Sequence, residues 1–295
     1  MILRIRAQPS QPIKSPRGLG MKQDKTFSNI ILIVIISVGL AYLIYRYLPT
    51  LTEGFESVKG REQLPIDAVI YINLDSRKDR DEEIKAEMSR IGIPEDKIHR
   101  LSAVKRSWGA LGCSLSHIAC LKTIQERGWS RTLVLEDDAG FEDGDDTRWS
   151  TGVKDIRAMI ESSGITNLDS RWDVIFLGGF VRDPEGPQKT EYKTLFRTRN
   201  TSCTHAYIVR GSYAPKLRDH TEVAVQMMMK NAPNVKQFNL DNAWSALMAE
   251  DRWFISVPTL AFQRESFSDI EGKNANADEP LRGQVVRAWK QGTIL

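Results

Sequence analysis

Glu136, Asp137 and Asp138 stand side by side directly after the short apolar run Thr132–Leu135, and Glu142, Asp143, Asp145 and Asp146 follow soon after. Three adjacent carboxylates at the end of a buried strand repel one another unless protons or a cation neutralise them. Oxygen ligands with no Cys–His set beside them in the sequence suit hard Mg²⁺ or Mn²⁺ and argue against zinc. Such an ion keeps open positions that a diphosphate can complete, and it then acts as a Lewis acid on a departing nucleotide diphosphate. The same residues also read as a solvated acidic turn. Which reading holds depends on what else arrives at that strand end.

Ala68–Leu74 (AVIYINL) is an apolar run of strand length, and Asp79–Ile91 carries Ile84, Met88 and Ile91 at helical spacing before Gly92 and Pro94. Ile98–Val104 is a second candidate strand. Leu111, Leu115, Ile118, Leu121 and Ile124 then recur at helical spacing, with Ser114 as a possible cap and Gly128 as the stop. Strand–helix–strand–helix–strand is the pattern of an α/β domain with a largely parallel sheet, whose ligands bind along the carboxyl ends of the strands. Asn73, Asp75, Ser116, His117 and the Glu136–Asp138 cluster are therefore expected to converge. Further on, Asp173–Leu177, Thr204–Val209 and Trp253–Phe262 read as strands, and Ser212–His220 and Leu240–Ala249 as helices. Val181–Asn200 reads as a polar loop.

The chain has 295 residues and a formal net charge of +3, with Lys and Arg interspersed among Asp and Glu, so no nucleic-acid partner is expected. Ile30–Tyr45 contains no charged residue. With its flanks it predicts a transmembrane signal anchor over 28–48, near the short end of a bilayer span. A cleaved signal peptide is the competing reading, but Tyr42, Tyr45, Arg46 and Tyr47 follow where a small-residue cleavage site would stand. Basic residues dominate 1–27, which places that tail in the cytoplasm and the body on the lumenal or exoplasmic side, a single-pass type II arrangement. A stem is expected over 49–65, the α/β domain over 66–272, and a polar tail over 273–295. Asn200-Thr201-Ser202 is then a usable glycosylation acceptor. Cys113 and Cys120 lie two turns apart on one helix, too far to bridge, whereas Cys203 is open to pairing with either.

The run GALGCSLSHIACLKTIQERGWSRTLVLEDDAGF resembles the signature of family 25 glycosyltransferases, which include bacterial lipooligosaccharide galactosyltransferases and animal procollagen galactosyltransferases. VIYINLDSRKDR, THAYIVRGSYAPKL, Asp241 before a helix, and QRESFSDI resemble other segments of that family in the same order. The resemblance implies a GT-A-like nucleotide-diphospho-sugar transferase fold, Mn²⁺ or Mg²⁺, a UDP-sugar donor with UDP-galactose first, and a glycan or hydroxylysine-type protein acceptor. It implies displacement with inversion. Asp138 is then the first metal ligand, with Glu136 on the metal, its water or the ribose. Asp137 either joins them or turns inward to brace the loop. Asn73, Asp75 and Arg80 would lie beside the uridine and phosphates. Ser116 and His117, read as beginning a helix, either face the anion or orient its neighbours. Asp241 is the candidate base, and Asp269, with Gln263 and Ser268, would hold sugar hydroxyls or a metal-bound water. Gly178 and Gly179 permit either close backbone approach or a tight turn. The animal procollagen enzymes are longer than this chain, so the acceptor is the least determined part. A non-catalytic adhesion or scaffold relative is the principal rival. A metal-dependent phosphohydrolase would want a denser His/Asp set than four scattered histidines supply.

Overall fold

A computed structural model of the chain describes residues 61–142, 146–162, 171–230, 236–264, 266–268 and 273–275, together with Ile36, Ser37 and Tyr42. Those last three are helical positions in the unit Met1–Glu53, and all the others belong to the unit Gly54–Leu295. Apart from them, the expected anchor lies outside the described residues, as do the basic tail, Asp269 and most of the tail after 272. Among the described residues no helix is long and apolar enough to cross a membrane.

The body begins with β1 (Ala68–Asn73), α1 (Lys78–Arg90), β2 (Ile98–Ser102), α2 (Gly109–Arg127) and β3 (Arg131–Glu136). Then follow β4 (Ala139–Phe141), α3 (Asp146–Ser162), β5 (Val174–Phe176), β6 (Phe180–Val181), β7 (Leu195–Arg197), β8 (Thr201–Ser202) and β9 (Ala206–Arg210). The remaining elements that matter here are α4 (Ala214–Lys230), α5 (Leu240–Glu250), β10 (Trp253–Ser256) and β11 (Ala261–Gln263). The central sheet has seven strands in the order β2-β1-β3-β9-β5-β10-β7. Parallel pairing joins β2, β1 and β3 and also β5 and β10, while β9 and β7 run against their neighbours. The domain is α/β with a mostly parallel sheet.

Both faces of the sheet are covered. Along β1, Val69 and Tyr71 enter one core with Ile84, Met88, Trp149 and Ile156, whereas Ile70 and Ile72 enter the other with Leu121, Ile124, Leu217 and Trp244. That alternation is the period-two geometry of a strand buried on both sides, and each fully buried aliphatic side chain contributes about 1.5–3 kcal/mol. Helices α1 and α3 cover one face; α2, α4 and α5 cover the other.

The chain leaves β1 toward β2 on one side and returns past β1 to β3 on the other. The strand order therefore reverses at β1 and β3, and a crevice opens at their carboxyl ends. This topology positions everything described below.

Some expectations need correction. Helix α2 begins at Gly109, so Ser114 is an interior residue, donating its hydroxyl to the carbonyl of Ala110 at 3.0 Å rather than capping. Ser116 and His117 accordingly lie two turns inside the helix instead of at its start. Helix α3 has no counterpart in the sequence reading, although Trp149, Val153, Ile156 and Ile160 are buried at helical spacing; the acid-rich approach to it hides the period. The expected strand Trp253–Phe262 is two strands, β10 and β11. Leu64 and Ile66 join the core, and Trp149 Nε1 donates to the Glu62 carbonyl at 2.8 Å, so the end of the expected stem packs on the domain.

Candidate active site

Strand β3 delivers Glu136 at its last position, and the chain turns at once into β4, carrying Asp137 and Asp138 over the crevice. Both aspartates are buried. Asp137 turns inward: it accepts from Asn73 Nδ2 at 2.9 Å and from Arg80 Nη1 at 2.7 Å. Asn73 closes β1 and also bonds the Arg77 carbonyl and Arg100. Burial raises the Asp137 carboxyl above its usual range, with Arg80 and Asn73 opposing that rise. Arg80 is itself buried, and its guanidinium serves the acids from within the protein.

Asp138 is differently placed. Gln263 of β11 donates to its Oδ2 at 3.0 Å, and Arg80 Nη1 stands 3.6 Å from that same oxygen. Its other oxygen, Oδ1, is buried with no hydrogen-bond partner. Burial first, and then the nearby Glu136 charge, pushes this carboxyl up to about 7. A buried carboxylate oxygen with no donor carries a desolvation cost that a proton or a cation can relieve.

Glu136 faces a third group of partners. Its Oε1 accepts from Thr204 Oγ1 at 2.6 Å and lies 3.3 Å from His117 Nε2, while His117 Nδ1 is 2.9 Å from the Tyr207 hydroxyl. Burial pushes Glu136 upward, but the His117 hydrogen bond and charge, with Thr204, outweigh it and hold the carboxyl below its usual range. Cys113 lies one turn before His117 on α2, and its sulfur, a His117 ring nitrogen and a Glu136 oxygen all fall within 4.8 Å of one another.

The pocket between these elements spans about 840 Å³ including its open mouth. It is lined by Glu136, Asp137 and Asp138, by the apolar Ile72, Leu74, Ala103 and Val104, and by Lys105 and Arg106. The amide end of α2 at Gly109 and Gly112 also lines it. A Cβ at Gly112 would lie 2.4 Å from the Val104 carbonyl, so glycine lets the loop after β2 lie directly on the helix. Ser116 pins that loop, accepting from the Val104 amide at 2.8 Å while donating to the Gly112 carbonyl. Gly178 allows close backbone approach: a Cβ there would be 2.1 Å from the Ala261 carbonyl. The contact docks β11 beside β4 and so brings Gln263 to Asp138.

Two sequence candidates lie away from the pocket. Asp75 is on the rim, exposed and bonded to Arg100 and Ser102. Asp241, in the first turn of α5, is paired with Arg182 at 2.8 Å, although its charge reaches Cys113. Conversely, Thr204, Tyr207, Cys113, Lys105 and Arg264 were not singled out. Arg264 clasps the acid turn, its amide on the Asp138 carbonyl and Nη2 on the Asp137 carbonyl, both at 2.7 Å. Only the alternation of polar groups in THAYIV hinted that Thr204 and Tyr207 face different partners.

Fold and site together define an α/β domain with a crevice at the reversal of strand order, lined by acidic and basic side chains. Residues 94–230 match the family model described as Glycosyltransferase family 25 (LPS biosynthesis protein). Over that segment, just under half of its length, the chain is similar to glycosyltransferase family 25. Procollagen galactosyltransferase 1-B of Xenopus laevis is 30% identical over 157 residues, 44% of this chain and 24% of that protein. Inactive glycosyltransferase 25 family member 3 of Homo sapiens is 33% identical over 110 residues, 37% of this chain and 17% of that protein. The matched segments thus span less than a quarter of either relative. Among solved structures, a UDP-glucose pyrophosphorylase from Acinetobacter baumannii aligns over 63% of this chain and 61% of its own, at 13% identity and a TM-score of 0.34.

Proposed function

We infer that the domain is a metal-dependent glycosyltransferase of GT-A-like fold, taking a hexose from a nucleotide diphosphate, with UDP-galactose the first donor to test. The reading rests on Asp138: buried, one oxygen without a donor, and held near neutrality in its protonation, at the end of a parallel strand. Asp138 would hold a divalent Mn²⁺ or Mg²⁺ there, with Glu136 near it; when bound, such an ion neutralises the diphosphate and favours its departure. The chain's own groups do the rest. The apolar Ile72, Leu74, Ala103 and Val104 suit the flat face of a base, and Lys105, Arg106 and the amides at the start of α2 suit its phosphates. Gln263 holds Asp138 in place. Asp241 remains the candidate base for the acceptor hydroxyl, a role that requires it to leave Arg182 when acceptor binds.

The name procollagen galactosyltransferase on the Xenopus relative supports galactose as the sugar, and a glycan or hydroxylysine-type protein acceptor follows from the family resemblance. A single anchor at 28–48, with the body lumenal or exoplasmic, belongs to the same reading. The second reading is a non-catalytic relative, favoured by the human protein whose name begins with "Inactive". Manganese-dependent hydrolysis of UDP-galactose separates them. Turnover by the full chain that disappears in Asp138→Ala supports the enzyme; no turnover with any common UDP-sugar, in a folded protein, supports the scaffold.

A further inference from the structure

No Cys–His set stands beside the acids in the sequence. Folding supplies one. Cys113 and His117 are one helical turn apart on the same face of α2, and that face meets Glu136 at the end of β3. We propose that Cys113, His117 and Glu136 form a second metal site, for a borderline-soft divalent ion such as zinc, with its fourth position open to the pocket.

The geometry is close to what such an ion needs. Metal bonds of about 2.3 Å to sulfur and about 2.1 Å to nitrogen or oxygen place tetrahedral ligands about 3.4–3.6 Å apart. His117 Nε2 and Glu136 Oε1 are already 3.3 Å apart, and all three ligand atoms lie within 4.8 Å of one another. Cys113 lines the pocket, and its sulfur would have to move by about 1 Å to complete the set. The supporting shell is in place. The Tyr207 hydroxyl lies 2.9 Å from Nδ1 of His117 and can accept a hydrogen bond from it when Nε2 turns from Glu136 to a metal, and Thr204 donates to Glu136 at 2.6 Å. Burial raises the Cys113 thiol, and the charges of Glu136, Asp241 and Asp138 raise it further, so its thiolate would form only together with a cation.

Sulfur and imidazole distinguish this site from the oxygen-only surroundings of Asp138, which suit manganese. Glu136 is common to both. An ion at the Cys113 site therefore withdraws Glu136 from the neighbourhood of Asp138, and zinc would oppose the hard ion rather than replace it.

Cobalt tests the site without reference to any sugar donor. Titrating the reduced, metal-free full chain with Co²⁺ is expected to raise a thiolate-to-cobalt charge-transfer band and tetrahedral visible bands, saturating at about one equivalent. Zn²⁺ should bleach them, and Mn²⁺ at the same concentration should not. Cys113→Ser should abolish the charge-transfer band. Glu136→Gln should keep it while weakening cobalt binding at least tenfold, and Tyr207→Phe, which removes only a hydroxyl, should weaken it by about 10–100-fold. Circular dichroism melts establish that each variant is folded. Absence of the band in wild type, or a band of equal strength in Cys113→Ser, overturns the site. Because the readout is spectroscopic, a failed sugar transfer leaves it standing, and its own failure leaves the transferase reading standing.

Discussion

The two edges of the central sheet treat buried carboxylates in opposite ways. At the amino ends of the parallel strands, Asp173 precedes β5 with its side chain almost wholly buried, and two arginines enclose it. Arg210 Nη2 donates at 2.5 Å, and Arg252 donates through its amide and Nε, both at 3.0 Å. Burial pushes Asp173 up, but Arg252 and Arg210 more than reverse this, and the carboxyl lies below its usual range. At the carboxyl ends, Asp137 and Asp138 share one guanidinium, that of Arg80, while Glu136 faces His117, and Asp138 is pushed up to about 7. One edge is neutralised by the fold itself; the other has fewer counter-charges than carboxylates. On the transferase reading, that shortfall is what a bound cation would relieve.

The largest effect should appear in turnover. On the transferase reading, Asp138→Asn keeps the shape of the site but removes the charge that holds the ion, a loss of several kcal/mol of transition-state stabilisation. That corresponds to about a thousandfold in rate, measured as UDP-galactose hydrolysis with saturating Mn²⁺. The matching substitution at the other edge, Asp173→Asn, should leave the site intact and loosen the fold. Removing one partner of a buried ion pair costs about 3–5 kcal/mol, because two guanidiniums lose their counter-charge, and melting should fall by about 10 °C. The sign with pH follows from the lowered carboxyl. Its stabilisation is complete above the unfolded value near ~3.9 and is lost as the pH falls through the folded one. Urea melts from pH 7 to pH 3 should thus show wild type converging on Asp173→Asn in acid.

Asp138→Asn should do the reverse to stability. The folded protein keeps a proton on Asp138 between about pH 4 and about 7 that the unfolded chain has released, so rising pH across that window favours unfolding. Without metal, the variant should therefore be more stable than wild type at pH 8, by an amount on the order of a few kcal/mol. The advantage should shrink toward pH 4. Manganese should stabilise wild type, by about 2.7 kcal/mol at a hundred times its Kd, and leave the variant unchanged. If the variant were less stable at pH 8, the comparison between the edges would fail.

Which parts of this contrast the residues reveal in advance is itself instructive. The acid cluster, Asn73 and the alternation of strands and helices are legible because local period and spacing encode them. The Asp173 clasp is not, since Arg210 and Arg252 reach it only through the antiparallel register of β9 and the start of β10. The same holds for Arg80, whose place in the first turn of a charged helix suggests solvent, whereas the reversal at β1 and β3 buries it under Asp137. The Cys113–His117–Glu136 triplet is half visible. The one-turn spacing of Cys113 and His117 is local, but its meeting with Glu136 depends on how α2 crosses back to β3. Long-range pairing, more than composition, decides which charges are matched.

Asp67 gives the smallest and most discriminating test. It lies just before β1, on the same edge as Asp173, and accepts from Arg131 Nε and Nη2 at 3.1 and 2.5 Å and from the amides of Ser130 and Arg131 at 3.0 Å. Unlike Asp173 it has one guanidinium, and both partners are partly exposed, with side-chain exposures of 36% for Arg131 and 27% for Asp67. Water replaces much of what a partly exposed pair loses, so Asp67→Asn should cost about 1 kcal/mol or less, and its melt should respond to added salt where that of Asp173→Asn does not. A cost equal to that of Asp173→Asn would mean that position on the edge governs the energy. A small, salt-sensitive cost means that burial and the number of matched charges govern it, which is the property that sets the Glu136–Asp138 edge apart.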